Sequence, residues 1–123
     1  LILCIFGGGI KMNKFILVKD DDINKNDIKH RKIYESEFYK LRIFNYESGY
    51  NSIDIFKNEG EYIPNLYIEN DDKFKVIDIK ISTTSYGSLS ADEIQKVIIG
   101  YNIAIQGVAG IKQILKDNNL LDE

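Results

Sequence analysis

From residue 40 to residue 83 apolar and polar side chains alternate, and from residue 90 to residue 116 the apolar spacing lengthens to that of an α-helix. Successive side chains on a strand point to opposite faces, so the first pattern predicts strands at about 40–46, 52–57, 62–69 and 73–83. Glu47-Ser48-Gly49, Asn58-Glu59-Gly60 and Asn70-Asp71-Asp72 separate them with turn composition. Links this short join antiparallel neighbours. The expected fold is α+β: a four-stranded antiparallel meander followed by a long C-terminal helix packed on one sheet face. Pro64 has no amide hydrogen and puts the third of these strands at an edge or a bulge.

The helix is the best-marked element. Ser90-Ala91-Asp92-Glu93 reads as a capping box, in which the Ser90 hydroxyl accepts from the Glu93 amide and the Glu93 carboxylate from the Ser90 amide. At 100° per residue Ile94, Val97, Ile98, Tyr101, Ala104, Ile105, Val108, Ile111 and Leu115 form one arc, predicted to lie on the sheet. A second stripe holds Ile99, Gly100, Ile103, Gly107, Gly110 and Ile114. Glycine inside a helix costs about 1 kcal/mol relative to alanine. Close approach of another backbone would offset that cost. Either a segment of the same chain covers the stripe, or Gly100, Ile103, Gly107 and Gly110 form the seam of a homodimer.

The N-terminal half is less regular. Phe15 to Val18 is an apolar run with the length of a short strand, and Asp20-Asp21-Asp22 follows. The three aspartates lack the alternate oxygens, central glycine and distal glutamate of a calcium loop, so they read as a solvated loop. Ile28, Ile33, Tyr34, Phe38 and Leu41 have loosely helical spacing, which predicts a helix over 23–39.

On the sheet, Leu41, Ile43, Ile53, Ile55, Ile77, Ile79 and Ile81 share the face on which the helix should pack. Arg42, Phe44, Tyr46, Asp54, Phe56, Phe74, Val76, Asp78 and Lys80 alternate to the other side. That mixture of aromatics and charges is not a core composition. Either residues 13–39 cover it, or it is a binding surface carried by Arg42, Phe44, Tyr46, Phe56 and Phe74.

Composition narrows this picture. The chain has 123 residues, enough for one domain and too few for two ordinary ones. Lysine outnumbers arginine 14 to 2, beside 22 Ile and 11 Asn, the bias of an AT-rich coding sequence and a hint of a low-GC bacterium. The only methionine, Met12, opens an ordinary start, and Gly7-Gly8-Gly9 before it matches a translated ribosome-binding sequence. Residues 1–11 therefore read as an upstream extension, with a single domain over 12–123. Leu1 to Phe6 lacks the basic flank and length of a signal peptide.

No stretch approaches 18 consecutive apolar residues, so no membrane span is expected. The one cysteine, Cys4, permits neither a disulfide framework nor a thiolate zinc site. A cytoplasmic location follows as the expectation. The net charge is −3, and −4 from Met12 on, with 15 basic against 19 acidic residues. That balance disfavours nucleic acid, whose non-specific affinity comes from phosphate neutralisation.

Three sets of residues bear on chemistry. Asp78 and Lys80 share a strand face, and Asp54 on an earlier strand would add a second carboxylate for a divalent metal, with Lys80 steadying the attacking water. With Gln95 in the following helix this resembles the PD-(D/E)XK nucleases over about residues 49–101, which implies Asp54, Asp78, Lys80 and Gln95 as the catalytic set. The chain departs from that pattern in having Asn65 after Pro64 and no strand after the long helix. Asp78-Ile79-Lys80, a turn with Gly87, Leu89-Ser90 and Glu93 are similar to the end of the positive-cofactor family of single-stranded-DNA-binding coactivators. That likeness implies a ββββα chain that dimerises through its helix and binds DNA on its sheet.

Nucleophilic catalysis has no constellation. His30 lies in a basic run with Lys29, Arg31 and Lys32 and reads as solvated, and Ser82-Thr83-Thr84-Ser85 reads as a strand end. The reading that accommodates these observations is a small, non-enzymatic binding or regulatory protein with an unknown protein partner and no cofactor or metal. A metal-dependent nuclease and a single-strand-binding protein are the alternatives.

Overall fold

The computed structural model describes residues 14–122. The expected upstream extension, residues 1–11, and its cysteine lie outside them. Six strands precede one helix: β1 (Ile16–Lys25), β2 (Ile28–Glu35), β3 (Tyr39–Tyr46), β4 (Asn51–Lys57), β5 (Leu66–Asn70), β6 (Val76–Ile81) and α1 (Ala91–Asp117). β1 to β4 form a four-stranded antiparallel sheet in sequence order, and β5 and β6 form a separate two-stranded sheet packed beside β4. The α+β class, the four-stranded antiparallel sheet and the long C-terminal helix are as expected.

The membership of the sheet differs from expectation, because residues 23–39 are not a helix. Asn24, Asn26 and Asp27 take φ values of 52°, 53° and 65°, a left-handed turn that asparagine and aspartate tolerate. The turn folds β2 back on β1. From there His30, Lys32 and Tyr34 point inward, while Arg31, Ile33 and Glu35 point outward beside β3. The aspartates are part of strand β1 rather than a loop. Asp21 stands opposite Arg31 and Asp22 opposite His30 in the ladder, so the acidic run meets the basic run residue by residue. The strand expected from residue 62 starts only at Leu66. Residues before it make a turn, closed by the Ile63 amide on the Gly60 carbonyl.

The core lies where α1 crosses β3 and the β5–β6 hairpin. Tyr39, Leu41 and Ile43 come from β3, Leu66, Val76 and Ile79 from the hairpin, and Ile103, Ala104, Ile111 and Leu115 from the helix. Ile53 and Ile55 are partly buried against this core as the alternation predicts, whereas a register shift in the β5–β6 ladder leaves Ile77 unpaired and 52% exposed and turns Val76, expected on the opposite face, into the core. The Tyr39 hydroxyl donates to the Pro64 carbonyl at 2.6 Å, and burial pushes its phenol pKa upward.

The capping box forms as predicted, with Glu93 N to Ser90 Oγ at 3.1 Å and Ser90 N to Glu93 Oε1 at 2.9 Å. At the other end Asn118 accepts from Lys32 at 2.8 Å and donates to the Tyr34 hydroxyl and the Ile114 carbonyl, tying the helix terminus to β2.

The glycine stripe is covered from within. A Cβ on Gly100 would run into the carbonyl oxygen of Tyr62, and one on Gly107 would stand 2.9 Å from the Tyr39 ring. Gly100, Ile103 and Gly107 are therefore buried in the chain's own core and do not form the seam considered above, while Gly110 is half-buried beside them. The buried face straddles the two predicted stripes. It leaves Ile94, Ile98 and Ile105 of the first arc 44%, 51% and 57% exposed.

Candidate interaction face

With β2 in the sheet rather than over it, the outer surface of β1–β4, turned away from Leu41, Ile43 and the core, leaves Phe56 41% exposed and the Arg42 side chain 36% exposed. At its centre Arg42 stands between Ile33 of β2 and Asp54 of β4 in the ladder. Its guanidinium lies 4.8 Å from the Phe44 ring centroid and 4.9 Å from that of Phe56, and its Nη2 donates to Asp54 at 3.1 Å. Cation–π contacts at exposed sites contribute about 0.5–1 kcal/mol each. The Arg42 Nε is shielded from solvent and has no hydrogen-bond partner. The side chain is thus held by ring packing and one carboxylate.

The surrounding charges are neutralised in pairs. Arg31 forks onto Asp21 through Nε at 3.0 Å and Nη2 at 2.7 Å, and these bonds hold the Asp21 carboxyl below its ordinary pKa. Lys40 reaches Glu35 at 3.7 Å. Tyr46, near the β3 end of the face, packs on Tyr50 with ring centroids 5.6 Å apart. Arg42, Phe44, Tyr46 and Phe56 are therefore gathered as the alternation predicts. Phe74 is not among them. It sits at the β5–β6 turn with φ 62° and is 74% exposed, on the other sheet.

Of the nuclease-like set, Asp78 and Lys80 come together, with Nζ 3.8 Å from the carboxylate. Asp78 also accepts from Lys112 at 2.9 Å and from the Ile79 amide at 2.8 Å, and this bonding lowers its pKa. Lys80 is shared with Glu69 at 3.5 Å. Asp54 belongs to the four-stranded sheet and is bound by Arg42, while Gln95 is exposed near the start of α1. Among the described residues no group of three or more His, Cys, Asp or Glu is arranged to hold a metal ion.

His30 is the group whose partners the sequence reading missed. It is gripped on both ring nitrogens, Nδ1 by Asp22 at 2.6 Å and Nε2 by Asp20 at 2.5 Å. A neutral imidazole has only one N–H, so satisfying two carboxylates calls for the imidazolium. The two hydrogen bonds raise its pKa, Asp22 more than Asp20. The Asp-x-Asp spacing opposite a histidine across an Asn-rich turn was the available signal. It becomes legible only once 20–22 is taken as strand.

Comparison with protein-family models, with curated proteins and with solved structures finds no match to this chain.

Proposed function

We propose that this chain is a non-enzymatic binding protein that takes a protein partner on the outer face of its four-stranded sheet. The observation that carries the reading is Arg42 laid between Phe44 and a Phe56 that is 41% exposed on the outer face of the sheet. Aromatic and arginine side chains dominate the energetics of protein interfaces when they sit at a centre from which water is excluded. Here that centre is already ordered, so docking costs little additional side-chain entropy. The paired charges around it form a polar rim.

The same pairing argues for protein rather than nucleic acid. Arg31, Lys40 and Arg42 each have a carboxylate, so the face offers no unneutralised cationic stripe for a phosphate backbone. A metal-dependent nuclease would need Asp54 and Asp78 on one cation, and each is bound by a different basic side chain.

The test places a photo-crosslinking residue at Ser52, which stands opposite Phe44 on this face, in cells that express the protein. The expected result is a discrete protein adduct, lost with Arg42→Ala or Phe56→Ala while the circular dichroism spectrum is kept. Failure to form an adduct, or salt-sensitive binding of a single-stranded oligonucleotide that Phe56→Ala abolishes, would overturn the proposal. So would metal-dependent cleavage abolished by Lys80→Ala.

A further inference from the structure

Beside its buried face, α1 carries a further run of apolar side chains, three of them isoleucines left exposed by the described chain. Ala91, Ile94, Ile98, Tyr101, Ile105 and Val108 follow one another at spacings of three, four, three, four and three. This is the a/d pattern of a helix that packs along another helix. Ile94, Ile98 and Ile105 are 44%, 51% and 57% exposed, whereas Val108 is half-buried against the chain's own core and Tyr101 is half-buried with its hydroxyl accepting from the Thr84 amide. Gln95, Asn102 and Ala109 flank it on the solvent side without charge. Lys112 occupies the next seam position and is turned aside to Asp78, which ends the pattern.

We infer that this seam is where two copies of the chain pair, α1 against α1 in antiparallel orientation. The a/d pattern calls for a helical occupant, and α1 is the one helix among the described residues. Like-with-like pairing brings each residue near a copy of its own surroundings, so the charge-free seam and flank meet no repulsion.

The antiparallel sense follows from the helix dipoles. Parallel pairing would set the two dipoles side by side in the same direction, whereas antiparallel pairing brings the opposite ends together. The register that stacks the exposed isoleucines puts Ile94 beside Ile105 of the second copy, Ile98 beside Tyr101 and Ala91 beside Val108. It carries Lys112 past the other helix's capping serine. The seam from 91 to 108 is about 27 Å long.

By length and composition α1 would also pass for a membrane-crossing helix, a test that the core helix of a soluble protein passes equally. The experiment therefore separates the occupants. Sedimentation equilibrium of the wild type is expected to show a concentration-dependent dimer that Ile98→Glu returns to monomer with an unchanged circular dichroism spectrum, since that side chain is half-exposed in the monomer.

Orientation is read in a Cys4→Ser background. Mixed Ile94→Cys and Ile105→Cys chains should form a disulfide-linked pair under mild oxidation, and neither variant should crosslink to itself. A wild type that stays monomeric up to about 1 mM overturns the inference, as does a dimer that survives Ile98→Glu or self-crosslinking by Ile94→Cys. Binding to neutral phosphatidylcholine vesicles that Ile98→Glu abolishes, with the protein monomeric in solution, assigns the stripe to lipid and equally overturns it.

Discussion

Replacing Gly100 by alanine sets two opposing effects against each other, and the structure decides the sign. In an unobstructed helix interior the change stabilises by about 1 kcal/mol, because alanine loses less backbone entropy and shields the helix. At this position the added methyl runs into the Tyr62 carbonyl oxygen, a backbone atom that cannot rotate away as a side chain would. Tyr62 is further held by its ring against Tyr86, centroids 6.1 Å apart, and by a 3.4 Å hydrogen bond from its hydroxyl to Glu93.

Forcing extra carbon into a packed site costs about 1–3 kcal/mol, and the upper end applies when backbone must move. The net is a loss of about 2 kcal/mol. With an unfolding entropy near 2.1 cal/mol/K per residue over roughly 110 ordered residues, that corresponds to a fall in Tm of about 9 °C. The assay is thermal and urea unfolding followed at 222 nm, with the urea m-value checked for constancy. A Tm equal to or above wild type would refute the reasoning, since it would mean that helix propensity prevails and that residues 58–65 do not seat on α1.

Two further perturbations follow from the same packing and charge arrangement. Raising the pH should weaken the β1–β2 hairpin: the folded pKa of His30 lies above its unfolded value near 6.5, so its contribution is complete below that pH and fades as pH rises through the folded value. Urea midpoints of the wild type should therefore fall on going from pH 6 to alkaline pH, and His30→Asn should flatten that limb; an equally steep limb in the variant would remove His30 as the cause. Tyr39→Phe keeps the ring against Gly107 but strips the donor from the Pro64 carbonyl, which should lower unfolding free energy by about 1–1.5 kcal/mol in urea titrations. An unchanged midpoint would show that water replaces the bond.

By itself the sequence determined the elements whose signals are local. The Ser90–Glu93 box set the start of α1, because both partners of a cap lie within one turn. The strict alternation of 40–57 set β3 and β4 and gathered Arg42, Phe44, Asp54 and Phe56 on one face, since strand period alone decides which side chains are neighbours. Tertiary structure decided what the faces meet. Residues 20–35 form paired strands in which the three aspartates meet His30 and Arg31 across the hairpin, a pairing that loosely helical spacing conceals.

Gly100 and Gly107 announced a close approach in the sequence, but whether it came from Tyr62 and Tyr39 or from a second helix depended on a chain reversal at 58–65 that has no periodicity to read. Which arc of α1 is buried had the same origin. An apolar helix surface wider than one contact can turn either part to the core, and the position of the β5–β6 hairpin turned Ile103, Ile111 and Leu115 inward and left Ile94, Ile98 and Ile105 facing solvent.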